Sequence, residues 1–299
     1  MTINSLVSVV IPTYNRGHTI KWAIDSALAQ TYKNLEIIII DDDSTDNTED
    51  IVKKIKDERI YYKKLEINQG GSVARNIGIK LSRGAYIAFL DSDDQWTNDK
   101  IDRQIKLLNT MPSNIWGGAY CSFYYIDKNG CKEVKASKSG DLREGILTMN
   151  LDIGAASTLM FHKEVFSNVG LFDESFERHQ DWEFLIRYFH KYKLYALQMP
   201  LVKIYGHNMP VGKKAAEATE RYLLKFSDDI KGFKNDIRMN IFARHWIEVS
   251  IAYAREGKIR YSMKYLNKSL RYKFLPIRIY IRLFALLSAS TINNIIKGE

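Results

Sequence analysis

Residues 86–96 read Tyr-Ile-Ala-Phe-Leu-Asp-Ser-Asp-Asp-Gln-Trp. An apolar run breaks into Asp91, Asp93 and Asp94. Packed carboxylates repel one another and lose hydration, so such a cluster gathers round a cation. Oxygen-only donors suit Mg²⁺ or Mn²⁺, ions that typically arrive with phosphates. The chemistry on offer is metal-assisted handling of a phosphorylated ligand. The simpler alternative is an exposed acidic turn after a strand. Two more polar clusters follow apolar runs, Pro12-Thr13-Tyr14-Asn15 and Asp41-Asp42-Asp43.

The elements that must position these clusters are legible. Leu6–Ile11, closed by Pro12, and Leu35–Ile40 are short β-branched runs that read as buried strands. Between them, Ile20, Ala23, Ile24, Ala27 and Leu28 recur at helix spacing. Ser44 or Thr45 is placed to cap a helix running to about Lys56. Ile60–Leu65 reads as a third strand. Gly70-Gly71-Ser72 opens a helix to Leu81, and Arg83-Gly84 turns into the strand Ala85–Leu90. Strands alternating with helices signal a parallel α/β sheet, in which ligands sit beyond the carboxyl ends of the strands. All three polar clusters lie at such ends and should converge on one cleft.

Further on, a helix is expected at about 98–109, a strand at 116–126 and a hairpin or loop at 127–140. Strands follow at 157–161 and 201–205, with an amphipathic helix at 180–192 between them. Everything beyond about 214 reads helical, with turns near Gly232, Gly257 and Pro276. The expected domains are 1–210 and 211–299.

Hydrophobic residues make up 45% and charged residues 26%, as in ordinary soluble domains. Cys121 and Cys131 form neither a zinc pattern nor a disulfide framework, which suits a reducing, cytoplasmic setting. No stretch reaches the roughly 20 apolar residues of a membrane span, and no signal-peptide layout opens the chain. The net charge of +9 is uneven: residues 200–299 hold 19 Lys/Arg against 8 Asp/Glu, and residues 1–199 hold 25 against 27. The basic tail points to an anionic surface. No recognition motif accompanies the charge, so nucleic acid is not the expected partner. Residues 276–296 carry Ile277, Ile281, Phe284 and Leu287 near one helical face, with Arg278 and Arg282 apart from it. Such a helix could lie in a membrane interface, or cover an apolar surface of the catalytic region or of a partner, a second copy included.

These stretches resemble the family 2 glycosyltransferases of GT-A fold. Val7–Arg16 is similar to that family's opening strand, Ile39–Thr48 to its second motif, and Asn68–Gly78 with Arg83–Trp96 to its third, including the metal-binding Asp-x-Asp. Gly170–Tyr188 resembles the later catalytic segment. The match spans about residues 5–207. It departs in two places, with Asp43 where the family has Gly and Gln180 where it has Glu. Asp visits positive φ more readily than most residues, so Asp43 is tolerable.

The resemblance implies an α/β GT-A sheet with a C-terminal helical extension. It implies an inverting transfer from a UDP-sugar to a hydroxyl of a glycan or lipid-linked saccharide, with Mn²⁺ or Mg²⁺ as cofactor, on the cytoplasmic side of a membrane. It assigns Asp93 and His207 to the metal. It assigns Pro12, Thr13, Tyr14, Asp42, Arg75, Asp91 and Ser92 to the nucleotide-sugar, Asp181 as catalytic base and Trp182 to the acceptor. Each has a plainer alternative: helix capping for Asp41–Asp43 and Asp181, a surface ion pair for Arg75, a core aromatic for Trp182, a loop histidine for His207. Trp96 is expected to pack beneath the acidic loop. Two rivals remain at this point. One is a non-catalytic nucleotide-sugar-binding subunit that recruits a partner or membrane. The other is a sugar-1-phosphate nucleotidyltransferase, whose usual Gly-rich Arg-Lys loop is absent from Leu6–Arg16.

Overall fold

In the computed structural model, which describes residues 4–151, 153–206 and 212–297, the two most apolar runs lie side by side. They are β1 (Val7–Thr13) and β2 (Leu35–Asp41), buried at every position and parallel, with Thr13 opposite Asp41. Strands buried on both faces need continuous apolar sequence, as these have. Alternate residues of β2 serve different layers. Ile37 and Ile39 join Ile20, Ala23 and Ile24 of α1 (Ile20–Leu28), while Ile38 and Ile40 join Ala74 of α3 (Gly71–Leu81). Gly78 lets α3 lie close on the sheet, because a methyl group there would overlap Val10.

The parallel half is completed by β3 (Ile60–Lys64), which follows α2 (Thr48–Lys54), and by β4 (Tyr86–Phe89). The short β5 (Gln95–Trp96) and α4 (Lys100–Leu108) come next. The other half of the sheet is mixed. It contains β6 (Trp116–Asp127), β7 (Gly130–Val134), β8 (Met160–His162) and β9 (Lys193–Tyr205), giving the order β3-β2-β1-β4-β8-β6-β9-β5 with β7 hairpinned on β6. Between these strands lie α5 (Arg143–Leu147), a 3₁₀ turn at Ala156–Thr158, α6 (Glu164–Val169) and α7 (Gln180–Tyr188).

The chain divides into two units, residues 4–143 with 153–206 and residues 144–151 with 212–297. The second is helical: α8 (Gly212–Lys225), α9 (Ser227–Lys231), α10 (Asn235–Arg255), α11 (Ile259–Leu270) and α12 (Ile277–Lys297). Its core joins Ile247, Ile251 and Ala254 of α10 to Leu266, Leu283 and Leu287.

Besides the strand expected at 157–161, which is a 3₁₀ turn at Ala156–Thr158 followed by β8 at Met160–His162, four local expectations need correction. First, β1 continues through Pro12. The Thr13 carbonyl accepts the Asp42 amide and the Val10 carbonyl accepts the Leu90 amide. By alternation Pro12 faces the β4 side, past the last β1–β4 pair at Val10–Phe89, so no ladder bond is lost. Second, Ser44 and Thr45 do not cap α2, which starts at Thr48. The Ser44 hydroxyl accepts the Asn15 amide and Thr45 donates to Asn15, while Asp46 accepts the Thr48 amide. Third, the helix expected to reach 192 stops at Tyr188, because the chain must turn for Lys193 to donate to Ile115 at 2.7 Å. Fourth, the last strand starts at Lys193 rather than 201. Pro200 masks it in the sequence, and irregular pairing opposite Ser122 absorbs the proline.

Candidate active site

Polar residues at the ends of β1 and β2 are knitted together. Asp41 is fully buried, accepting the Ser44 amide at 2.8 Å and the Tyr62 hydroxyl at 2.7 Å. Burial, reinforced by that hydrogen bond to Asp41, raises the Tyr62 phenol's pKa. Asp42 accepts the amides of Gln69 (2.8 Å) and Gly70 (2.7 Å), one on each oxygen, just ahead of α3. Asp43 sits at φ 65°, the left-handed conformation anticipated for the residue standing in place of Gly. Thr13 is buried, and its hydroxyl has no hydrogen-bond partner among the described residues. Beside it Tyr14 is 44% exposed, a ring face open to a ligand.

The acidic loop divides its three carboxylates among three tasks. Asp94 is buried, accepting the Ser157 hydroxyl at 2.6 Å and the Tyr205 amide at 3.3 Å, which ties the loop to β9. Burial, then the charge of Asp91, raises its pKa well above the carboxylate range. Asp93 pairs with Arg16 Nε at 2.9 Å. Asp91 pairs with Arg75 Nη2 at 2.6 Å, and its amide donates to Ser157 Oγ. Ser92 is buried within the loop.

Trp96 packs beneath this loop as expected, 4% exposed, its indole N–H donating to the Ser157 carbonyl at 2.9 Å. Under the indole lies Lys100, fully buried, with Nζ 4.0 Å from the ring centroid and no hydrogen-bond partner among the described residues. Burial pushes its pKa down to about 7. A base whose folded pKa is depressed costs stability, fully below the folded pKa and progressively less as pH rises to the unfolded value near 10.4. Lys100→Met is therefore expected to raise the melting temperature at pH 6 and to give a shrinking gain as pH rises from 7 to 10. Equal gains across that range would show that the charge carries no cost.

Arg75 joins the acidic loop to the start of α7. Its Nη1 donates to Gln180 Oε1 at 2.5 Å while Nη2 holds Asp91. Asn76, one residue on, anchors the approach to α7 by donating to the Phe172 carbonyl and accepting the Phe172 amide, both at 2.9 Å. Asp181 stands in the first turn of α7, where the helix N-terminus favours a carboxylate. Its Oδ1 accepts the Trp182 amide at 3.0 Å. Burial nevertheless pushes its pKa up to about 6, with Arg75 and that amide opposing and Asp91 adding to the rise. Its surface is only half-buried, so it combines a raised pKa with access to solvent. The Trp182 ring, also half-buried, stacks on His179 at 4.7 Å.

A family model described as "Glycosyl transferase family 2" matches residues 8–170. The chain belongs to glycosyltransferase family 2. It is 34% identical over 263 residues to UDP-Glc:alpha-D-GlcNAc-diphosphoundecaprenol beta-1,3-glucosyltransferase WfaP of Escherichia coli, a match covering 88% of this chain and 98% of the relative. Among solved structures it resembles S. aureus TarS 1-349 in complex with UDP-GlcNAc, with a TM-score of 0.57 at 16% identity, covering 89% of each chain. It also resembles the mannosyltransferase PcManGT from Pyrobaculum calidifontis in complex with GDP-Man and Mn²⁺, with a TM-score of 0.57 at 16% identity, covering 99% of this chain and 88% of the other. At that identity the structural likeness speaks for the GT-A fold alone. Membership makes this chain a glycosyltransferase, and the two rival readings are set aside.

For a family 2 enzyme, the arrangement brings together most of the residues singled out from sequence. Pro12, Thr13, Tyr14 and Asp42 lie at the ends of β1 and β2, Asp91, Ser92 and Asp93 in the acidic loop, and Asp181 and Trp182 on α7, which Arg75 ties to that loop. His207 lies outside the described residues. Three contributors escaped the sequence reading: Arg16, Ser157 and Asn76. Only Arg16 left a signal, a cation directly after a strand-end cluster.

The donors suit a divalent cation held in part by substrate. No group of three or more His, Cys, Asp or Glu poised for a metal occurs among the described residues. Mg²⁺ is commonly held by one or two carboxylates, with phosphate oxygens and water completing the shell. Asp93 can supply one such carboxylate, with Asp91 beside it held by Arg75.

Proposed function

We propose that this glycosyltransferase moves a sugar from a UDP-sugar to a hydroxyl of a lipid-linked saccharide at the inner face of a membrane, with inversion and with help from Mg²⁺ or Mn²⁺. One observation carries the reading: Arg75 clamps the acidic loop to α7, so that a carboxylate of raised pKa, Asp181, stands beside the loop. The UDP-Glc donor and diphosphoundecaprenol-linked acceptor named for the Escherichia coli relative support the substrate classes. The Mn²⁺ named in one structural neighbour supports the metal.

In this reading Tyr14 stacks on the uracil, with Pro12 and Thr13 beside it. Asp42, with one lone pair engaged on each oxygen, accepts the imide N–H on another. Asp91 and Ser92 bound the ribose and diphosphate, and Arg75 lends positive charge there. Asp93 would hold the metal, with His207 as its second protein ligand. A bound cation would neutralise charge building on the departing diphosphate. Asp181 takes the acceptor proton as the hydroxyl attacks the anomeric carbon. Trp182 gives the acceptor sugar an apolar wall.

The test is a panel of UDP-, GDP- and dTDP-sugars, scored by thermal stabilisation and hydrolysis with Mn²⁺ and with EDTA. UDP-glucose should stabilise in a metal-dependent way. Stabilisation by a GDP-sugar alone would sink the donor assignment. A base must be ionised to act, so kcat/KM should fall tenfold per pH unit below about 6, the Asp181 value. A rate flat down to pH 4.5 would exclude that assignment.

A further inference from the structure

The last helix presents two apolar faces where one would suffice. Tyr280, Leu283 and Leu287 are no more than 8% exposed and complete the core of the helical unit. The sequence pattern grouped Leu287 with Ile277, Ile281 and Phe284. In the fold those three point elsewhere, 62%, 63% and 51% exposed. Their spacing of four and three residues puts them on one arc of a helix with about 3.6 residues per turn. Phe274, just before the helix, is 67% exposed. Arg278 and Arg282 lie to one side of the arc, away from the buried face, exposed, with no acidic partner among the described residues.

The surrounding sequence has one sign. Residues 257–298 contain nine Lys or Arg and no Asp or Glu. A cluster of exposed large apolar side chains is costly in water unless something covers it. Apolar side chains bordered by arginines match the boundary between acyl chains and anionic headgroups. A nucleic acid would use the charge and leave the apolar arc wet. A second copy of this chain would bring the same positive charge against itself. No helix among the described residues is long and apolar enough to cross a membrane, so the contact lies along the surface.

We propose that the outer face of α12, built on Ile277, Ile281 and Phe284 and bordered by Arg278 and Arg282, docks on an anionic lipid surface. This deepens the proposed function by naming the surface that meets the membrane. Vesicle binding needs neither donor, metal nor acceptor, so its failure is distinct from failure of the catalytic reading.

The experiment sediments the full chain with phosphatidylglycerol–phosphatidylcholine vesicles and with phosphatidylcholine alone. The chain should bind the anionic vesicles and release as salt rises. Ile281→Glu with Phe284→Glu should weaken partition by roughly tenfold or more, since each loses apolar contact. Arg278→Gln and Arg282→Gln should cost roughly fivefold each. All should leave the melting temperature and UDP-glucose hydrolysis unchanged, because these side chains lie outside the core. Should the double Glu variant fold poorly, Ile281→Ser with Phe284→Ser replaces it. The proposal is overturned if the wild type ignores anionic vesicles or if the Glu and Ser variants bind as tightly as wild type. It is equally overturned if the wild type binds an RNA duplex instead, or forms a dimer that these variants abolish.

Discussion

Asp181→Asn is expected to reduce sugar transfer by about 10²–10⁴-fold, the usual contribution of a positioned general base, while UDP binding stays intact. The substitution is clean for a physical reason. The carboxylate's ionised form is disfavoured by burial, which pushes its pKa to about 6. The neutral amide avoids that cost, and its oxygen can still accept the Trp182 amide. The variant should melt no lower than wild type, and its residual rate should lose the acid limb near pH 6. Titration with UDP-glucose separates binding from chemistry. Normal transfer by this variant would remove Asp181 from the mechanism.

Asp93→Asn is the second large effect. We expect donor stabilisation by Mn²⁺ to disappear and kcat/KM to fall roughly 100-fold, as when a several-kcal/mol metal contribution is lost. Stability should change little. The Arg16–Asp93 pair leaves 37% of the Arg16 and 11% of the Asp93 side chain in solvent, and an Asn oxygen can still accept the Arg16 bond, so the lost charge should cost about 1 kcal/mol. A melting curve without ligand should overlay wild type, and one with UDP-glucose and Mn²⁺ should not. Retained metal-dependent stabilisation would move the metal to other residues. Asp94 is a poor substitute target, because its bonds to Ser157 and Tyr205 hold the loop and its loss would mix folding with function.

Much of the site was legible because its chemistry rides on regular elements. Continuous apolar runs revealed β1, β2 and β4, and in a parallel sheet their ends must lie along one edge. The acidic triplets therefore converge without knowledge of any side-chain contact. Even the departure at Asp43 was readable, since it stands where a positive φ is needed and takes φ 65°. What failed was local: the cap of α2, the end of α7, the start of β9. In each, a partner distant in sequence outbid the local preference, as when Lys193 pairs with Ile115.

The amino-acid sequence by itself determined the order of the elements, the placing of carboxylates at strand ends and the segregation of positive charge to the tail. These follow from periodicity and residue type. The tertiary structure decided which carboxylate does what. It buried Asp94 as a support, paired Asp93 with Arg16, and set Arg75 between Asp91 and Gln180. It also split the apolar residues of α12 into an inner and an outer face. Burial and pairing depend on distant segments meeting in space, as Arg16 meets Asp93 across 77 residues and Asp94 meets Tyr205 across 111. Local sequence preference carries no record of such encounters.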